Sequence, residues 1–473
     1  MNKRPICVML TAFFVAGCSL APEYKMPDVP VAATYKESGP WVAATPADQI
    51  DRAGWWKTYN EPELDSLEQQ LIQSNPDLSA ALSHYAAAQA FVRQTQSDLY
   101  PQVGAVGNAQ RDRESDTRPL RGATSPADYN SATLGVEVDY EVDLWGRVRD
   151  SVAAGKDEAD ATKADLASVQ LSLEAQLAES YIQLRGFDQE LRLLSQTADE
   201  YQRALTLTEA RHTGGVGNGL DVARAKSQYS SAQSQLSQVT AMRAVTEHTI
   251  AVLVGASASD FSLQPDYAPI TVPQVPLSLP SALLQRRPDI AAAERRVAEA
   301  NSKIGVARAA YFPSLTLSAQ GGLQSSIYGD LLSAPSSFWA IGPSLATYIF
   351  DGGKRRAQVD SAKAATEEAG AKYRGVVLAS FKEVEDNLSL LSNLGTALGQ
   401  QQDAASEADV SVNLALERYK RGTVSYLDVV QAQTTALDAQ RAVINVQTQQ
   451  LGADVGLIRA LGGGWSKDDL ARS

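Results

Sequence analysis

The stretch GVEVDYEVDLWG, residues 135–146, sets Glu137, Asp139, Glu141 and Asp143 at every second position, with Val136, Val138, Tyr140 and Val142 between them. Paired carboxylates can serve as general acid and base, as in glycosidases, but those enzymes hold two acids across a cleft and make one protonatable by burial. Acids repeating with a period of two do something else. Side chains of a strand alternate between faces, so the carboxylates point one way and the apolar side chains the other. One face is wet and the other is not. The rest of the chain offers no better catalytic chemistry. His84, His212 and His248 are scattered without ligand spacing, and Thr213-Gly-Gly-Val-Gly-Asn-Gly219 lacks the Lys-Ser/Thr of a phosphate loop and follows a helical pattern. With no activated nucleophile, acid–base dyad or metal set, the expectation is a non-enzyme without a cofactor.

The elements that position this strand begin behind a leader. Lys3 and Arg4, the apolar run Pro5–Val15 and the small residues Ala16-Gly17 before Cys18 read as a secretory signal over residues 1–17, too short to span a membrane. Val15-Ala16-Gly17-Cys18 resembles a bacterial lipoprotein box, in which the cysteine is acylated and becomes the mature N-terminus. Ser19-Leu20-Ala21-Pro22 carries no inner-membrane retention Asp, which favours the outer membrane. Cys7 leaves with the signal, so the mature chain forms no internal disulfide. Cleavage also removes Lys3 and Arg4, leaving 40 basic against 55 acidic residues and a net charge of −15, which excludes a nucleic-acid binder that relies on a basic surface. Only Met26 and Met242 then remain, too few for a methionine relay. No later apolar run reaches about twenty residues, so any spanning segment is strand.

The chain is written twice. Asn75-Pro76-Asp77-Leu78 recurs as Arg287-Pro288-Asp289-Ile290, and Tyr100-Pro101 as Phe312-Pro313, at an offset of 212; Gly146 and Gly353, Leu220-Asp221-Val222 and Leu427-Asp428-Val429, and Val254-Gly255 and Leu461-Gly462 repeat at 207. The expected division is 1–17 signal, 18–74 lipidated segment and collar, 75–255 first repeat, 256–286 linker, 287–462 second repeat and 463–473 tail. Each repeat reads as a helix to about Leu99, two strands, a helix of some sixty residues, a Gly-containing turn and a returning helix of about forty. The strands are expected at 103–110, 133–143, 314–322 and 337–350. Leu173, Leu177, Ser180, Leu184, Phe187, Leu191, Leu194, Ala198, Tyr201 and Leu205 step by three and four, and Tyr229, Ala232, Leu236, Val239, Thr246, Ile250 and Leu253 follow on the returning helix, the seam of an antiparallel coiled coil. The short and returning helices are expected to stack end to end and match the long one.

Strands of about ten residues, polar on one face and apolar on the other, suit a transmembrane β-barrel whose acids line water and whose valines meet lipid. Tyr100, Trp145, Phe312, Phe338, Trp339 and Phe350 near strand ends suit an interfacial girdle. An open sheet of four strands would expose unsatisfied backbone to lipid, so several chains must close it; two give eight strands, three give twelve with an aqueous lumen. The competing reading of 135–146 is an edge strand of a soluble β-domain.

The lipobox, Gly54-Trp55-Trp56 with Pro62-Glu63-Leu64, the duplicated Asn/Arg-Pro-Asp and aromatic-Pro motifs, Phe350-Asp-Gly-Gly-Lys354 and Arg418-Tyr419 through Gly422 to Leu427-Asp428-Val429 resemble the outer membrane factor family, TolC-like efflux channels, and most closely its lipoprotein branch. The resemblance implies a mainly α fold with a trimeric twelve-stranded β-barrel, four strands per chain, continuing into a coiled-coil α-barrel. It further implies a homotrimer with a periplasmic adaptor and an inner-membrane pump as partners, passively exporting drugs or small toxic compounds. At the tip, Leu427 matches an apolar constriction, Asp428 an acidic one in some relatives, and Tyr419 a tyrosine that helps tie the closed tip. Others carry Asp where this chain has Gln431 and Arg where it has Thr434. Asp221 holds the place of Asp428 in the first repeat, where an acid also suits a helix N-terminus, and Gly215, Leu220 and Gly422 fall at the tip turns expected to meet the adaptor. Alternatives are a duct for polypeptide secretion and a lipid-anchored periplasmic coiled-coil scaffold.

Overall fold

The structure, a computed structural model, describes residues 19–30, 34–37, 54–115, 126–273 and 286–465. The signal segment, Cys18 and the end of the tail lie outside them. After α1 (Pro62–Ser74) the chain runs α2 (Pro76–Ser97), β1 (Gln102–Arg113), β2 (Asp128–Val142), α3 (Arg147–Thr213) and α4 (Gly219–Leu253), then repeats the order as α5 (Pro288–Ala309), β3 (Ser314–Ser325), β4 (Ser337–Ala346), α6 (Lys354–Lys420) and α7 (Tyr426–Ala460). The corresponding helices have identical lengths, 22, 67 and 35 residues. At 1.5 Å per residue each long helix extends about 100 Å.

Local rules set the boundaries. Pro76 and Pro288 occupy first helical positions, where a missing N–H costs nothing. Tyr100 and Phe312 close their helices through turn bonds to Ser97 and Ala309, and proline follows each. Gly215 (φ +77°) and Gly422 (φ +74°) supply the left-handed residue that reverses the chain between long and returning helices.

Four expectations are corrected. The β1–β2 pairing runs on through Arg113↔Asp128, beyond the alternating apolar pattern, because a ladder needs only backbone groups. The second strand ends at Val142, leaving Asp143 outside it. The fourth ends at Ala346, short of Phe350, and includes Pro343 opposite Leu317 of β3. The short and returning helices, 22 and 35 residues, fall ten short of the 67-residue partner.

By packing the described residues form two compact units, one drawn from 19–27, 85–162 and 293–373 and the other from 28–84, 163–292 and 374–465. The first contains the sheet, four antiparallel strands in the order β1-β2-β3-β4. The second contains the coiled-coil seams and the main core, where Trp55, Trp56, Tyr59, Leu64, Leu67 and Leu71 pack on Leu173, Leu177, Tyr181, Leu184, Ile250, Leu253, Leu451 and Val455. Further along the seam, Phe187, Leu191 and Leu194 of α3 cluster with Leu236 and Val239 of α4, and Ala198 and Tyr201 with Tyr229 and Ala232. The irregular segment 263–268 is held by buried charge: Arg185 bonds Glu61, Asp266 and Ala268, and Arg243 bonds Asp188 and the Leu263 carbonyl.

The duplicated Asn/Arg-Pro-Asp motif is a helix splice. Asn75 donates to the Leu253 carbonyl at the end of α4 (2.8 Å) and accepts from Leu78 N in the first turn of α2 (2.9 Å). Arg287, its counterpart, donates to the Ala460 carbonyl at the end of α7 (3.1 Å) and bonds Asp289 and Glu383. Gly255 and Gly462, both at positive φ, follow the ends of α4 and α7; a Cβ would overlap the Ser74 carbonyl at one and the Arg286 carbonyl at the other. Each returning helix thus abuts the short helix of its own repeat.

Candidate functional sites: a two-faced sheet and a helical tip

The register extends the two faces of β2 across all four strands. In antiparallel pairs, residues opposite one another share a face. Glu137 lies opposite Gly104 and Gln320, Asp139 opposite Gln102 and Ser318, Glu141 opposite Thr316; Ala340, Gly342 and Ser344 complete the row on β4. Ser318 Oγ donates to Asp139 Oδ1 at 2.6 Å across the β2–β3 pair. Val136, Val138, Tyr140 and Val142 occupy the other face with Val103, Ala105, Leu315, Leu317, Ala319, Ile341 and Leu345. Strands β1 and β4 each pair on one side only among the described residues.

At the foot of β2 the acids change role. Glu141 accepts two bonds from the Arg147 guanidinium (2.8 and 2.7 Å), and Asp143 Oδ2 accepts from Arg149 N (3.0 Å) and Arg149 Nε (3.1 Å). Asp143, expected with the strand acids, instead satisfies an orphan N–H in the first turn of α3. Beside it, Trp145 stacks on Phe312 (4.6 Å between centroids) and its indole N–H donates to the Pro313 carbonyl at 2.8 Å.

At the far end of the helices, Tyr419 and Tyr426 pack at 5.3 Å with Ala225 and Val429 in a small buried cluster. The Arg211 guanidinium lies 4.8 Å from the Tyr419 ring centroid, and Nη1 donates to the Tyr419 carbonyl (3.4 Å). Burial pushes the Tyr426 hydroxyl up to about 12, with Tyr419 and Asp221 adding to the shift; burial raises Tyr419 as well, against the pull of Arg211. Asp428 Oδ2 accepts from Ser425 N (2.9 Å) and Ser425 Oγ (2.7 Å), the reciprocal half of a capping box. In the first repeat Asn218 Oδ1 caps through Asp221 N (3.0 Å), freeing the Asp221 carboxylate for Arg224, 3.7 Å away.

Leu427, Asp428, Gln431 and Thr434 are exposed and spaced along one side of α7, whereas Tyr419 is buried behind them. Thr434 Oγ1 accepts from Gln228 Nε2 of α4 at 2.8 Å. Leu220 is exposed at the start of α4. Sequence reasoning missed Arg211, Tyr426 and Gln228. The repeat held a signal for Tyr426, since the first copy has Gly219 at that place.

A sequence model described as outer membrane efflux protein matches residues 67–256 and 279–463, one match to each repeat. The antibiotic efflux pump outer membrane protein ArpC of Pseudomonas putida is 33% identical over 468 residues, covering 98% of this chain and 96% of the relative. The pyoverdine export outer membrane protein OpmQ of Pseudomonas aeruginosa is 31% identical over 474 residues, covering 99% and 98%. Among solved structures, the outer-membrane channel OprN superposes with a TM-score of 0.85 at 29% identity, covering 95% of this chain and all of that one. Matched through both repeats and in the order of its strands and long helices, the chain belongs to the outer membrane efflux protein family and is an outer-membrane channel of efflux pumps, not an enzyme.

Proposed function

We propose that three copies close their sheets into one twelve-stranded barrel whose acid-bearing face lines the pore, and that the long helices carry the duct onward through the periplasm. The observation that carries this reading is the register: Glu137, Asp139 and Glu141 of β2 share a face with Gln102 of β1 and with Thr316, Ser318 and Gln320 of β3, Val136, Val138, Tyr140 and Val142 share the other with Val103, Leu315, Leu317, Ile341 and Leu345, and both sheet edges are unpaired among the described residues. Strand β4 runs antiparallel to β1, so the edge of one copy fits the opposite edge of the next. Residues 18–74 and 256–286 serve as the collar, and acylated Cys18 tethers the chain to the outer membrane. An inner-membrane pump supplies the energy and an adaptor meets the turns at Gly215, Leu220 and Gly422. The cargo is drugs or small toxic compounds, in keeping with relatives named for antibiotic and pyoverdine export.

The exposed side of α7 forms the constriction, with Leu427 as an apolar ring and Asp428 as an acidic one that takes cations. Gln431 and Thr434 supply no charge, so closure rests on packing of the Tyr419–Tyr426–Arg211 cluster. Single-channel recording in planar bilayers, with mass measurement in detergent, tests the reading. A trimer with cation-preferring conductance is expected; a monomer that stays soluble without detergent after delipidation would overturn it.

A further inference from the structure

The first residues after Cys18 form a strap along two helices. Ser19 Oγ donates to Asp150 Oδ1 in the first turn of α3 at 2.6 Å and accepts from Ala21 N at 3.1 Å, closing a small turn. Arg308 Nη1 donates to the Leu20 carbonyl (3.0 Å), Asn301 Nδ2 to the Pro22 carbonyl (2.8 Å), and the Tyr24 hydroxyl to Glu294 Oε1 (2.5 Å). Glu294, Asn301, Gly305 and Arg308 step by seven, four and three along one side of α5. Gly305 is needed for clearance: a Cβ there would overlap Asp150 Oδ2 and come within 2.7 Å of Ala21 N. Asp150 is 5% exposed, and among the described residues its Oδ2 has no hydrogen-bond partner.

Comparison of the repeats shows that this stripe is not a general feature of the helices. At the same places the first copy has Leu82, Gln89, Arg93 and Gln96, and Ala357 of α6 stands where α3 has Asp150. Arg93, exposed, fills the position where the strap's backbone needs a glycine. One helix of the duplicated pair has been shaped to take a chain segment and the other has not.

We propose that the groove between the start of α3 and the Glu294–Arg308 stripe of α5 is a docking site for the mature N-terminus, with Asp150 and Gly305 as positioning residues that set where the lipid anchor begins. The inference rests on the reading of Cys18 as the acylated N-terminus. Consecutive Cα atoms lie 3.8 Å apart, so a clamp on Ser19 confines the root of an acyl chain on Cys18 to the strand-to-helix turn of the first repeat. The anchor then acts at a fixed place on the molecule rather than at the end of a free tether.

The test uses the full chain, expressed with its leader, labelled with palmitate and purified in detergent. Trypsin cleavage after Lys25, read as a new N-terminus at Met26, reports docking, and the label reports acylation. Gly305→Ala is the decisive variant, because alanine favours helix over glycine and cannot act by weakening α5. Asp150→Ala is the second, with unchanged circular dichroism as the control for folding. Cleavage at least tenfold faster in Gly305→Ala and several-fold faster in Asp150→Ala, both still labelled, is expected. Equal cleavage in the wild type and Gly305→Ala would overturn the docking site. Absence of palmitate from the wild type would remove the anchor but leave the cleavage result to judge the strap.

Discussion

The two repeats share helix lengths and splice geometry, yet they place their charge differently. The first copy puts it in the sheet, on Glu137, Asp139 and Glu141, and splices its helices with a neutral amide, Asn75. The second has a sheet row of Ala340, Gly342 and Ser344, and splices with a cation, Arg287, flanked by Asp289 and Glu383. Backbone constraints such as the glycines after each helix were kept in both copies. Side-chain chemistry was free to diverge wherever the two copies meet different surroundings.

The sharpest contrast lies at one position of the returning helices. Glu247 of α4 is an ion partner of Arg243 (3.3 Å) and accepts from Leu263 N (2.6 Å). Its counterpart Asp454 of α7 is buried, with no cation beside it among the described residues, and accepts from the Tyr59 hydroxyl at 2.5 Å. Burial pushes the Asp454 carboxyl up from 3.8 to about 7, with the Tyr59 bond pulling the other way. A raised acid means that the folded state holds a proton which the unfolded state releases. Stability is therefore full below the unfolded value and falls as pH rises through the interval, by up to about 4 kcal/mol at pH 7 and above. Asp454→Asn keeps an acceptor for Tyr59, so it should flatten the pH profile and stabilise at pH 8 while changing little at pH 4. Glu247→Gln should destabilise by about 1–2 kcal/mol at pH 8 through loss of charge-assisted bonds. Thermal unfolding across pH would break the contrast if both shifts had the same sign.

The sheet should treat its two copies alike on the apolar face and unlike on the polar one. Val138 and Ile341 lie in one row, joined through Ala319. Val138→Arg and Ile341→Arg should each cost about 2–4 kcal/mol and lower the yield of heat-modifiable protein in the outer membrane. Asp139→Asn should leave that yield intact and reduce cation preference. Loss of assembly in Asp139→Asn as severe as in Val138→Arg would undo the assignment of faces. At the splices, Arg287→Ala strands the Ala460 carbonyl and two acids and should cost about 3 kcal/mol, against about 1–2 for Asn75→Ala. Arg287→Asn, which imports the solution of the first copy, should fall between them in denaturant unfolding.

Much of this architecture could be read from the sequence because it is periodic. Offsets of 212 and 207 gave the duplication, a period of two gave the strands, and steps of three and four gave the seam that joins Phe187 to Leu236. What stayed hidden depends on where unrelated segments meet. The ladder continues through Arg113 and Asp128, where no apolar alternation marks it. Asp143 reads as one more strand acid until its carboxylate is seen on the Arg149 N–H. The Asn/Arg-Pro-Asp motif was visible as a repeat, but its partners Leu253 and Ala460 lie more than 170 residues away. Departures between copies were the usable signal that remained: Tyr426 against Gly219 marks the tip cluster, and Gly305 against Arg93 marks the strap.

The smallest expected effect separates two roles for one acid. Asp428 and Asp221 stand in the first turns of corresponding helices, but Asp428 binds back to Ser425 while Asp221 leaves capping to Asn218. Loss of the cap in Asp428→Ala should cost about 1 kcal/mol, and Asp221→Ala less. If three exposed Asp428 carboxylates also meet on the channel axis, they repel one another and bind divalent cations. Asp428→Ala should then weaken block by magnesium or cobalt added from the periplasmic side in bilayer recordings, whereas Asp221→Ala should leave it unchanged. Ser425→Ala provides the remaining arm: it takes the hydroxyl from Asp428 without removing the charge, so it should lower stability and preserve block. Equal block in the wild type and Asp428→Ala would reduce Asp428 to a helix cap, and the two copies would then differ at the tip in capping alone.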